Sequence, residues 1–116
     1  MRLQERPVDC EVVNVADVIG SHFCVTAEDG QKLFEVLAER FHANTCVALD
    51  FAHVKVCSSP FLNVAVGSHL EHMKPEQLSA VLKWQNISPA TEQLLIDVIE
   101  NAERYYSDPS IRKLWD

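Results

Sequence analysis

Cys57-Ser58-Ser59-Pro60 sets a thiol and two hydroxyls in a row, directly ahead of an apolar helical pattern. A serine there can accept a hydrogen bond from a free backbone N–H, and proline suits the first turn because it has no N–H to lose. Ser59 is accordingly read as the cap of the helix that follows. Cys57, close to the same helix start, would have its thiol pKa lowered. His53, four residues earlier, would be the base of a Cys–His pair. A nucleophilic site also needs a group that orients the base, and none is visible. His69 and His72 are three apart at helical spacing and share a side. A metal would demand further ligands, but Glu71 is too near in sequence to join that face. His53 and Cys57 fit no recognised ligand spacing, so His69 and His72 read as a solvated helix face. His22 and His42 are isolated. Asp50 stands alone, without a second carboxylate, and reads as a hydrogen-bond acceptor steadying its loop. Gly20, Gly30 and Gly67 are singletons, so no glycine-rich phosphate loop exists, and neither a metal nor a cofactor is expected.

The elements that must position these groups centre on Thr45-Cys46-Val47-Ala48-Leu49-Asp50-Phe51. A near-continuous apolar run of this length predicts a strand buried on both faces, as in a parallel sheet. Beyond its carboxyl end, where open α/β sheets place their working surface, Phe61, Leu62, Ala65, Val66 and Met73 predict a helix to Met73. Upstream, Cys10 to Val15 predicts a first strand, and Asp17 to Gly20 a turn or single helical turn. Ser21 to Thr26 predicts a second strand, with Phe23 and Val25 on one face and His22 and Cys24 on the other. Thr26 caps a helix over 27–42 whose stripe is Leu33, Phe34, Leu37, Ala38 and Phe41; the low propensity of Gly30 would delay its regular start. Downstream, Leu78 to Gln85 predicts a strand with Leu78, Ala80, Leu82 and Trp84 on one face. Ser88 and Pro89 open a last helix to about Tyr106, striped by Leu94, Leu95, Val98, Ile99, Ala102 and Tyr105. Strands alternating with helices imply an α/β fold with about four strands, mostly parallel, and helices mainly on one face.

The 116 residues suffice for one domain, with 1–9 as an extended lead-in and 107–116 as a tail. A net charge of −7 opposes a phosphate backbone, and the ten Lys and Arg residues are scattered, which excludes nucleic acid as the expected partner. Cys10, Cys24, Cys46 and Cys57 lack a CxxC spacing and read as small thiols in a reducing compartment. No long apolar segment suggests a leader or a membrane span, so a cytoplasmic location is expected, without membrane partners. In the tail, Ile111, Leu114 and Trp115 share helical spacing, a candidate dimer contact.

The run LDFAHVKVCSSPFLN, Leu49 to Asn63, resembles the strand–loop–helix signature of STAS-like proteins, related to the sulfate transporter and anti-sigma-factor antagonist domains. It is similar in particular to a widespread bacterial branch of unknown function, and the likeness extends more weakly from about Glu11 to Tyr106. In the antagonists the corresponding loop carries a serine that a partner kinase phosphorylates. The resemblance therefore implies Ser59, and Ser58 second, as phosphoacceptor. A phosphate there would meet free N–H groups and add about −1.5 to −2 charge. The antagonists place Asp before the paired serines and Gly after them; this chain has Cys57 and Pro60. The implied function is a non-catalytic regulatory interaction domain whose partner is a histidine-kinase-like ATPase. Its surface would comprise Val54, Lys55, Cys57, Ser58, Ser59 and Pro60, with Asn63, Ser68 and Glu71 on the following helix. The alternatives are a small domain that dimerises through its tail, and a minor enzyme using Cys57. Location separates the first two: an apolar patch at the loop favours a heterologous partner, and one at the tail favours the dimer.

Overall fold

A computed structural model of the chain describes residues 10–107. The lead-in and the tail contacts Ile111, Leu114 and Trp115 lie outside the described residues. The central strand, β3 (Val47–Asp50), lies between β1 (Glu11–Asn14) and β5 (Leu82–Gln85), parallel to both. Val47, Ala48 and Leu49 are all buried, which is why this strand shows no polar alternation. A separate parallel pair joins β2 (Phe23–Cys24) to β4 (Val56–Cys57). The strands thus number five among the described residues, divided between two parallel sheets, where about four were expected. The predicted second strand shrinks to two residues because its partner is equally short.

α1 (Val15–Ile19) is the single turn expected near Asp17: the Asn14 side chain accepts from the Asp17 N–H at 2.9 Å, and Gly20 ends it at φ 71°. α2 (Ala27–His42) matches its predicted bounds, with Thr26 accepting from the Asp29 N–H. Gly30 does not delay it. A Cβ at Gly30 would stand 2.6 Å from the Phe61 carbonyl oxygen, so the missing side chain lets α3 (Ser59–Ala65) approach. From the far end of α2, Arg40 donates through Nε and Nη2 to the Glu11 carboxylate, 3.1 Å each, tying the helix to β1.

Two further expectations fail. The helix predicted to Met73 stops at Ala65 and resumes as a 3-10 turn, Gly67–Glu71. Gly67 has low helix propensity, and it sits where α5 (Pro89–Ser107) packs: a Cβ would come within 3.3 Å of Val98 Cγ1 and Ala102 Cβ. The strand predicted over 78–85 is half helix, α4 (Pro75–Val81) running straight into β5. Pro75 starts it, and Gln77 Oε1 accepts from the Lys74 N–H at 2.8 Å, which favours a helical turn. Leu78 and Leu82 suit either period, so alternation alone could not decide.

Leu33 and Leu37 of α2, Phe61 and Leu62 of α3, and Leu95 and Val98 of α5 share one core with Val47 and Leu49 of the sheet. α3 packs against both α2 and α5. This packing holds the start of α3 beside the β2–β4 pair, where the Ser58 N–H donates to the Cys24 carbonyl.

Candidate interaction surface

The start of α3 is built on Ser58. Its Oγ accepts from the Phe61 N–H at 3.3 Å and donates to the Val25 carbonyl at 2.6 Å. Its backbone N–H donates to the Cys24 carbonyl at 2.9 Å. The cap is therefore Ser58, whereas the sequence pointed to Ser59, and the same residue fastens the helix to β2. Ser59 is the first helical residue, half-buried, and its hydroxyl enters no hydrogen bond among the described residues. Of the two serines, only Ser59 has a hydroxyl without a hydrogen-bond partner among the described residues.

Burial works against a nucleophilic Cys57. It is half-buried and paired in register with Cys24 across the β2–β4 ladder. Burial, with the Cys24 thiol beside it, pushes the Cys57 thiol up to about 12, the reverse of the lowering expected at a helix start. Burial likewise raises Cys24, with Asp29 adding to it, to about 11. His53 lies in a turn at φ 71°, its carbonyl oxygen 2.8 Å from His22 Nδ1 and its ring centroid 6.4 Å from that of His22, and no hydrogen bond joins it to Cys57 among the described residues. The other two cysteines overturn the expectation of four thiols: Cys10 and Cys46 form a disulfide. They flank β1 and β3, whose pairing brings them together.

Asp50 is the acceptor the sequence suggested. It receives the Ala52 N–H at 2.9 Å, the Asn86 amide at 3.0 Å and the Gln85 amide at 3.4 Å. Burial works to raise its pKa. The bonds from Ala52, Asn86 and Gln85, helped by His53, prevail and hold the carboxyl below its ordinary value.

The histidines separate. His72 is exposed, at the end of the 3-10 turn, while His69 is only 6% exposed, stacked on Phe34 with ring centroids 4.3 Å apart. A shared solvated face does not exist, because the break at Gly67 turns His69 inward. Among the described residues no group of three or more His, Cys, Asp or Glu side chains is placed to hold a metal ion.

Of the surface residues, Lys55, Pro60, Asn63 and Glu71 are exposed and Val54 packs partly on the core. Ser68 donates to the Asn63 carbonyl at 3.1 Å across the helix break. What the sequence reading missed is the apolar face beside them. Phe23, Val25 and Val56 are 54%, 42% and 46% exposed, and Phe23 and Val56 are register partners. The alternation placing Phe23 and Val25 on one face was visible; that this face points outward was not.

The profile of the STAS-like domain of unknown function matches residues 29–92, from the first turn of α2 into α5. The chain belongs to this STAS-like family. Its matched region contains the β3–loop–α3 unit that carries Ser58 and Ser59, and the parallel α/β architecture of the STAS-like domain agrees with it. No curated protein and no solved structure matches the chain. Among the described residues, no helix of the STAS-like domain is long and apolar enough to cross a membrane.

Proposed function

We propose that this STAS-like domain is a non-catalytic regulatory module that docks a protein partner on the β2–β4 pair and the adjoining loop, Val54 to Pro60. The observation that carries this reading is the cluster of exposed Phe23, Val25 and Val56 beside the start of α3. Apolar side chains grouped on a short strand pair are what a partner can desolvate, and the patch sits at the loop. The partner suggested by the family resemblance is a histidine-kinase-like ATPase, which would phosphorylate Ser59. The free Ser59 hydroxyl supports that choice over Ser58, which is committed to the Phe61 N–H and the Val25 carbonyl. A phosphate adds about −1.5 to −2 charge at the edge of an apolar contact and would release the partner. The raised Cys57 thiol argues for a binding rather than a chemical role.

The reading places the domain in the cytoplasm, where the reducing pool would open the Cys10–Cys46 link. The test is a binding titration of the purified chain against a panel of such ATPases, with Phe23→Ser, Val56→Ser and Ser59→Asp alongside. Saturable binding that drops about tenfold or more in each variant is expected, with phosphate located on Ser59 by mass spectrometry after incubation with ATP. Wild-type affinity in both Phe23→Ser and Val56→Ser would remove the surface from consideration.

A further inference from the structure

A cavity of about 600 Å³ opens between the second half of α2, the 3-10 turn and α4. Its volume lies within the range of small-molecule sites. Phe34, Ala38, Phe41, Met73, Ala80 and Val81 supply apolar wall, and His42, Asn44, His72 and Gln77 add polar edges. No Lys, Arg, Asp or Glu lines it among the described residues.

His69 also lines the cavity, held between Phe34, which stacks on it, and Phe41, edge-on at 5.0 Å and 71°. The Ala65 carbonyl, one helical turn earlier, acts on the imidazole as an acceptor and so favours a ring N–H on its side. Among the described residues Nε2 has no partner, so a proton on Nδ1, toward Ala65, leaves Nε2 with a bare lone pair. Burial pushes the imidazole down to about 4, which keeps that lone pair unprotonated at neutral pH. Phenylalanine or leucine would fill this position without an unpaired acceptor, and a buried acceptor without a donor is unfavourable.

We infer that this cavity binds a neutral aromatic small molecule carrying one N–H or O–H donor, which it delivers to Nε2 of His69. The aromatic and aliphatic wall selects a ring. The lack of Lys, Arg, Asp and Glu in the wall, among the described residues, selects neutrality, since a buried ion would lose its hydration without a counter-charge. Nε2 is itself out of solvent contact, so the donor reaches it as a lining side chain shifts. Met73, unbranched and adaptable, borders the cavity and can make that room. The inference is independent of the docking surface on β2 and β4.

The test uses the full chain labelled with ¹⁵N-histidine and follows the His69 Nε2 resonance by long-range ¹H–¹⁵N NMR. The probes are indole, phenol and benzimidazole, beside their donor-blocked counterparts 1-methylindole, anisole and 1-methylbenzimidazole. A saturable shift of Nε2 with at least one donor-bearing probe, about tenfold weaker for its blocked counterpart, is expected. In His69→Phe, followed through the His42 and His72 resonances at the cavity edge, the preference for the donor-bearing probe should vanish while the ring still binds. Should that variant fail to fold, the paired probes on the wild-type chain decide alone. The assignment is overturned if no probe moves Nε2 up to its solubility, or if blocked and unblocked probes act alike. It is overturned equally if only a peptide of the 108–116 sequence moves the resonance.

Discussion

Ser58 and Ser59 are adjacent and chemically identical, and their surroundings give them different work. Ser58 joins β2 to α3 through three hydrogen bonds, two from its hydroxyl. Ser58→Ala should lower stability by about 1–2 kcal/mol in a denaturant titration, while Ser59→Ala should be close to neutral. Equal losses in the two variants would contradict this division. Asp50 carries a pH dependence. Its folded pKa lies below the unfolded one, so its contribution is present above the unfolded pKa and fades as pH falls through the folded value. Asp50→Asn should remove about 1 kcal/mol near neutral pH, the part-exposed site having been allowed for, and leave less at strongly acidic pH. Stability curves of both proteins from pH 7 to 2 would show whether they converge. Cys57 should resist iodoacetamide in the native protein at pH 8, because its raised pKa leaves little thiolate.

At the scale of elements, close approach decides more than propensity. Alanine in place of Gly30 would gain about 1 kcal/mol of helix propensity. It would also push a methyl group to 2.6 Å from a backbone carbonyl of α3, which cannot swing aside as a side chain does. A net loss of about 1–3 kcal/mol is expected in thermal or chemical unfolding. If Gly30→Ala is stabilising instead, α2 and α3 are not packed as described. The strand pattern over 78–85 and the continuous helix to Met73 were both reasonable readings of spacing. The first yielded to Pro75 and the Gln77–Lys74 bond, and the second to the packing of Gly67 on α5. Both deciding contacts depend on where a neighbouring group lies.

The whole molecule joins two short sheets through one helical layer, and its cysteines divide accordingly. A thiol titration of the unfolded, unreduced chain should count two free thiols, Cys24 and Cys57, and four after reduction. Four in both samples would mean that the Cys10–Cys46 link does not form in the purified protein. Light scattering over a range of concentrations, with Trp115→Ala beside wild type, tests the reading in which the tail drives association. Identical masses would leave the Phe23–Val56 face as the surface to pursue.

The sequence by itself determined the α/β class, the bounds of α2, the buried centre of β3, the start of α5 and the family. Each rests on local signals that a single segment carries: a period, a cap, a proline, an apolar run. Asp50 was legible for the same reason, since a lone carboxylate at a strand end has nearby N–H groups to satisfy. The outward face of Phe23, Val25 and Val56 and the inward turn of His69 were decided by tertiary structure alone. So were the capping of α3 by Ser58 in place of Ser59 and the pairing of Cys10 with Cys46. In each of these the deciding partner is distant in the chain: β4 for Phe23, Phe34 for His69, Val25 for Ser58, β3 beside β1 for the cysteines. Burial and hydrogen-bond satisfaction depend on everything around a residue, and that environment exists only once the chain has folded.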